Sequence, residues 1–193
     1  MNSAKILIFI SVVMILVLIG VTVFFMWKSG GSVGDIFEIR SVSRDLQQAK
    51  KLWSEGKYQE MLAPANHALS TAKTDEDKGY AYYWIGVSYF KQDMLDEAET
   101  NENKAIQLLP KFSGPYITLA AIYLNRSQPQ VALKYASTAV QLDPKYGWAH
   151  NALGIAYQDL GDKINAIKEF KEAVRLDENN SLFRLNLTRA QEN

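Results

Sequence analysis

The chain contains no cysteine, which removes disulfides, thiolate nucleophiles, haem attachment through Cys-x-x-Cys-His and every cysteine-based zinc or iron–sulfur site. The compartment stays open, because a thiol-free chain suits oxidising and reducing surroundings alike. An excess of one charge is also missing. With 21 basic against 21 acidic residues, no overall field draws the protein to nucleic acid or to an acidic lipid surface. Histidine is limited to His67 and His150, each alone in its stretch, and His150 reads as a packed helix residue rather than a ligand. The stretch from Gly154 to Lys163 lacks both the spacing and the hydroxyl of a phosphate loop. Gly30, Gly31 and Gly34 follow an apolar helix instead of a strand, so they form no dinucleotide fingerprint. The pair Asp96-Glu97 opens a helix, where acids favour the dipole and stay solvated. Asn-x-Ser/Thr sequons at Asn125, Asn179 and Asn186 matter only in a eukaryotic secretory protein. No catalytic constellation, metal site or cofactor site emerges, and a non-enzyme is expected.

What is present begins with a membrane signal. After a short tail, residues 1–5, the run 6–27 is uncharged and rich in Ile, Val, Leu and Phe, bounded by Lys5 and Lys28. At ~1.5 Å per residue it spans about 33 Å as a helix, against roughly 30 Å of hydrocarbon. Phe24, Phe25 and Trp27 fall where an aromatic interface belt lies. A cleaved signal peptide would have an apolar core of about 7–15 residues ending at a small-x-small site. Here the core is longer and runs into Phe25-Met26-Trp27-Lys28, so one transmembrane helix is expected to remain as an anchor. Lys28, Arg40 and Arg44 on the far flank slightly outnumber Lys5, which by count alone would hold the large domain in the cytoplasm. A short tail with one lysine before a long apolar helix instead has the form of a bacterial signal anchor. The expectation is therefore a single-pass inner-membrane protein with its domain in the periplasm. Residues 28–41, opening Lys-Ser-Gly-Gly-Ser-Val-Gly, are expected to be a flexible tether.

The remainder repeats. Residues 79–112, 113–146 and 147–180 are three blocks of 34 that follow without a gap. Position 7 is Ile85, Leu119 and Leu153; position 8 is Gly86, Ala120 and Gly154; position 11 is Tyr89, Tyr123 and Tyr157. Position 20 is Ala98, Ala132 and Ala166, and position 27 is Ala105, Ala139 and Ala173. Pro110 and Pro144 hold position 32, with Glu178 in the last block. Small residues at 8, 20 and 27 let two helices of one block approach closely. Large ones at 7 and 11 fill the space between blocks, and the proline ends the second helix. A divergent block precedes them at residues 42–75, with Ala49, Leu52, Gly56, Tyr58, Met61 and Ala68 in register. Glu76, Asp77 and Lys78 are then three extra residues, predicting a looser junction or a longer helix, and Pro64 should kink the second helix or delay its start. Residues 181–193 read as one more helix behind a Ser cap, covering the open end of the stack.

This period and signature resemble the tetratricopeptide-repeat (TPR) family over residues 42–193. The resemblance implies an all-α solenoid of about four helix-turn-helix repeats plus a C-terminal capping helix, and a concave groove lined by positions 2, 5, 9, 12 and 13 of each first helix. Carried over, those positions give Leu46, Lys50 and Trp53; Tyr80, Tyr83, Val87, Phe90 and Lys91; Ile117, Ala121, Leu124 and Asn125; and Trp148, Asn151, Ile155, Gln158 and Asp159. Some family members hold the carboxylate terminus of a chaperone in a clamp of lysines and asparagines. Here Lys50, Asn125 and Asn151 are scattered and do not reproduce it. An apolar groove suits an amphipathic helix or an extended apolar segment instead, although Phe90, Leu124 and Ile155 can equally be core between neighbouring repeats. The implied function is a membrane-anchored scaffold or assembly factor for protein partners, without nucleic acid. Its rivals are a permanent accessory subunit of a membrane complex and a cytosol-facing docking or import receptor. Self-association, or the chain's own residues 33–39, could also fill the groove.

Overall fold

The computed structural model describes the backbone of residues 33–192 and the side chains from Arg44 onward. The expected tail 1–5 and membrane span 6–27 lie outside the described residues. Among the described residues, no helix is long and apolar enough to cross a membrane. Two compact units divide the chain, Met1–Ser41 and Val42–Asn193. Of the first, only the backbone from Val33 is described.

Every regular element among the described residues is helical. In order they are α1 (Val33–Ser54), a 3-10 turn (Gln59–Met61), α2 (Leu62–Thr71), α3 (Asp75–Lys91), α4 (Leu95–Leu108), α5 (Ser113–Asn125), α6 (Pro129–Leu142), α7 (Gly147–Asp159), α8 (Lys163–Leu176) and α9 (Ser181–Glu192). One expectation needs correction. A tether over 28–41 is too long, because helix begins at Val33; from Asp35 to Ser41 no glycine or proline interrupts it. The extra residues before the second block lengthen α3, which starts at Asp75. Thr74 caps it: its hydroxyl oxygen accepts from the Asp77 N–H at 3.0 Å and its hydroxyl donates to the Asp77 carboxylate at 2.7 Å. Pro64 sits in the first turn of α2, where its missing N–H costs little, and regular α-helix starts only at Leu62 behind the 3-10 turn.

Each hairpin turns at the same register. Gly56, Asp93, Ser127 and Gly161, all at position 15, adopt positive φ of 73°, 62°, 56° and 78°. Two blocks supply the glycine that this left-handed conformation favours; the other two hold it with Asp and Ser.

The stack closes on small residues. Ala49, Ala68, Ala98, Ala105, Ala120, Ala132, Ala139, Ala166 and Ala173 are all fully buried. Gly154 lies so close to Phe170 of α8 that a β-carbon there would meet the ring at 2.6 Å. Between blocks, Leu119 and Ile122 of α5 pack on Ala98 of α4, with Tyr89 and Phe90 of α3 alongside. A polar tie crosses the same junction. The Tyr123 hydroxyl and the Arg126 guanidinium both donate to the Glu99 carboxylate, at 2.5 Å each, and that hydrogen bond, with burial, pushes the Tyr123 hydroxyl up to about 12. Helix α9 seals the far end with Phe183, which is 1% exposed and packs over Gly147.

Candidate functional site: an aromatic groove on the concave face

Five of the residues expected in the groove meet around one open cavity of about 720 Å³: Leu46, Lys50 and Trp53 from α1, and Tyr80 and Tyr83 from α3. Gln47, Asp77, Trp84, Lys111, Phe112, Ser113, Gly114, Leu142, Asp143 and Tyr146 complete its lining. The family positions on first helices miss three of its aromatic rings. Trp84 stands at position 6. Phe112 and Tyr146 share position 34, the last residue before a first helix, so the recurrence of an aromatic at one register was the available signal. Both are N-cap residues of the next helix, with extended backbone that turns the side chain toward the concave side.

The rings touch in a continuous series. Tyr80 and Tyr83 each meet Phe112 edge to face, at centroid distances of 5.1 and 4.9 Å. Tyr83 lies 4.9 Å from Trp84, and Trp84 lies 6.3 Å from Trp53. Trp53 then reaches across to Trp148 of α7 at 6.4 Å, and Trp148 packs against Phe183 of α9 at 5.0 Å. Such pairs add about 0.5–1.5 kcal/mol each beyond their area, so the concave wall holds its shape without a ligand.

Behind this wall sits an unexpected group. Glu102 of α4 is fully buried, in contact range of Gly86, and neither carboxylate oxygen has a hydrogen-bond partner of good geometry. Burial drives its carboxyl well above the usual range, and the nearby Thr118 hydroxyl offsets only part of that. The Tyr83 hydroxyl is likewise raised, first by burial and then by Tyr146 and Glu102. Two ammonium groups, Lys50 and Lys111, are exposed at the rim. Asp77 is occupied by Thr74, while Asp143 accepts from the Lys145 N–H at 3.2 Å.

The other expected groove residues lie elsewhere. Val87 is 6% exposed and packs with Leu52 and Met61 beneath the rings. Phe90 packs on Ala98, Leu119 and Ile122, while Ile117 and Leu124 pack on the cluster around Ala120 and Ala136. Ile155 packs near Phe170. Asn151 is 4% exposed, and its side-chain oxygen accepts from Asn186 of α9 at 2.8 Å. The capping helix thus takes the place of any ligand there. Lys91 stands over the Tyr58 and Phe90 rings beside a separate shallow hollow. Gln158 borders a third hollow next to α9, and Asn125 is exposed at the end of α5. Trp148 is outside the cavity and acts as the bridge. His150 is buried, with Nδ1 2.7 Å from Glu169 and Nε2 3.1 Å from the Pro144 carbonyl. Among the described residues no cluster of three or more His, Asp or Glu is placed to hold a metal ion.

Comparison with known proteins agrees with this architecture. Residues 79–112 and 147–180 match models of the tetratricopeptide repeat, and these are the bounds of the second and fourth blocks. A thermophilic TPR protein of Thermus thermophilus superimposes with a TM-score of 0.70 at 22% identity, over 78% of this chain and 81% of that one. The TPR domain of Arabidopsis OM64 gives 0.57 at 21% identity, over 61% and 98%. The first TPR domain of RPAP3 (Spaghetti), bound to the HSP90 peptide SRMEEVD, gives 0.58 at 25%, over 62% and 94%. A search of curated proteins finds no match. The chain therefore carries tetratricopeptide repeats stacked as an all-α solenoid.

Proposed function

We propose that this chain of stacked tetratricopeptide repeats is a membrane-anchored scaffold or assembly factor that holds a segment of another protein in its aromatic groove. One observation carries the reading: six aromatic side chains, Trp53, Tyr80, Tyr83, Trp84, Phe112 and Tyr146, converge on one open cavity. Elsewhere the large rings and aliphatic side chains between blocks are packed against buried alanines and glycines, whereas clustered aromatic surface left open to water invites association. A neighbour of this fold is seen with a peptide bound, which supports peptide capture as a use of the fold. The anchor is the apolar run 6–27, and the proposed site of action is the periplasmic face of a bacterial inner membrane. The partners are protein segments or subunits held near that surface.

Two experiments test the parts separately. Affinity capture from native membranes, with a C-terminal tag and mild detergent, should lose its partners when Tyr80 and Tyr83 are both changed to Ala in a variant that still shows native helical circular dichroism. Undiminished capture by that folded variant removes the groove from the mechanism. For topology, the domain should be digested when protease is added to spheroplasts. Resistance until the inner membrane is lysed places it in the cytoplasm.

A further inference from the structure

We infer that His150 is a pH-sensitive latch: as an imidazolium it holds the loop that brings Asp143 and Tyr146 to the cavity, and it releases that loop as pH rises. The ring is 7% exposed and has an oxygen at each nitrogen. Glu169 Oε2 lies 2.7 Å from Nδ1, and the Pro144 carbonyl lies 3.1 Å from Nε2. A carbonyl oxygen can only accept, and so can an ionised carboxylate. A neutral imidazole carries one N–H and serves one of the two, so only the doubly protonated ring serves both.

The repeat supplies an independent observation on the Nε2 contact. Tyr116 holds position 4 of the third block, as His150 does of the fourth, and its hydroxyl donates to the Pro110 carbonyl at 3.0 Å. Pro110 and Pro144 share position 32 of the preceding blocks. Position 4 thus ties the same carbonyl at both junctions, and it has to be the donor. In the third block that donor is a phenol, whose proton burial holds to higher pH than usual. In the fourth it is the side chain whose charge ordinarily changes between about pH 5 and 8. Among the described residues, the charged groups facing the ring belong to α8. They are Glu169 and, beyond it, Glu172, whose carboxyl is held low first by Arg175 and in smaller part by His150. Helices α5 and α6 meet α7 through the cluster around Ala120 and Ala136, whose titratable members are Tyr123, Tyr135 and Tyr157. Helix α9 meets it through Phe183 and Asn186, neither of which titrates. The ring also sits near the start of α7, where the helix dipole disfavours a cation, so Glu169 is what supports the charge. When one proton leaves, the carboxylate is the stronger acceptor and keeps the N–H at Nδ1. Nε2 then turns a lone pair on the Pro144 carbonyl, and the tie to the loop is lost. The latch is therefore closed at low pH and opens as pH rises.

The test uses the full chain in mild detergent, with nitrogen-labelled histidine read by NMR and amide hydrogen exchange read alongside. The chain has two histidines, and exposed His67 serves as the comparison. At about pH 6 His150 should show two protonated ring nitrogens. The Tyr146 N–H bonds to the Asp143 carbonyl and the Ala149 N–H to the Tyr146 carbonyl, so both report on the loop. Their protection, corrected for the intrinsic exchange rate, should fall by about ten-fold between about pH 6 and pH 8, the loss of one hydrogen bond. Glu169→Gln should abolish that fall, because its amide can donate to a bare Nδ1 and leave the Nε2–H of a neutral ring on Pro144. A ring with one bare nitrogen at about pH 6 overturns the inference. So does unchanged protection of the Tyr146 and Ala149 amides in the wild type, a readout that needs no variant to fold. A fall that persists in Glu169→Gln overturns it too, since the pH response then arises elsewhere.

Discussion

Glu102 offers the sharpest quantitative test of the packing. Its carboxyl is fully buried and lacks a partner at either oxygen. Leaving a buried polar group unsatisfied costs about 1–3 kcal/mol even when it is neutral. Burial raises its folded-state pKa well above 4.5, the value for an unperturbed carboxyl. The folded protein therefore holds this proton to higher pH than the unfolded chain does. The group costs least below the unfolded pKa, and stability falls by about 1.4 kcal/mol per pH unit above it, until the folded carboxyl itself ionises. Across pH 5 to 7 the loss reaches up to about 2.7 kcal/mol. Glu102→Met keeps the length of the side chain and removes both effects. Glu102→Gln removes the slope but leaves a polar group without partners. Urea unfolding of the full chain, followed by far-UV circular dichroism at pH 5, 6 and 7, should show the gap between wild type and Glu102→Met widening with pH. Glu102→Gln should run parallel to Glu102→Met but below it. Parallel profiles for wild type and Glu102→Met, or a Glu102→Met protein less stable than wild type at pH 7, would refute the reasoning.

Further measurements probe other parts of the frame. Gly154→Ala should destabilise by about 1–3 kcal/mol in the same urea assay, because its β-carbon would lie 2.6 Å from the enclosed Phe170 ring; a neutral result would mean that α7 and α8 can separate. Ser127→Gly should stabilise by up to about 1 kcal/mol, since it relieves a positive φ of 56°. Thr74→Ala should cost about 1 kcal/mol by removing the cap of α3, with helix loss visible first by hydrogen exchange in the first turn of α3.

The repeat frame was legible because its determinants are short-range. A small residue at 8, 20 or 27 means the same thing in every block, and those alanines are buried wherever they occur. The extra turn of α3 and the late start of α2 followed from a residue count and one proline. The tether reads as too long because Gly30, Gly31 and Gly34 dominate its composition, while Asp35 to Ser41 carry no signal against helix. Groove residues were only partly legible. Positions 2 and 5 of the second block gave Tyr80 and Tyr83, which line the cavity, but the same rule gave Val87, which is buried, and Phe90 and Ile155, where the alternative of core packing is the one seen. Which side of a first helix faces water depends on how far neighbouring blocks rotate, and no single block encodes that rotation.

The informative positions are those where equivalent residues disagree. Position 24 is Ala65, Glu102, Ala136 and Phe170, all fully buried. In the second and fourth blocks a glycine at position 8, Gly86 or Gly154, leaves room for the larger side chain, and in the third Ala120 meets a small one. The volume at each junction is thus shared between positions 8 and 24, which is why a carboxyl could enter the second block without opening it. Position 34 is Asp75, Phe112, Tyr146 and Asn180, and only its two aromatic members enter the groove. Shared volume accounts for the size of each side chain in the first pattern, though not for the charge-bearing type of Glu102. The second pattern has a packing part too, because Phe112 and Tyr83 close on Gly114 at the start of the third block. What packing leaves over is the part of Phe112 and Tyr146 that stays open to solvent beside the cavity, and that remainder is the surface the proposed partner would cover.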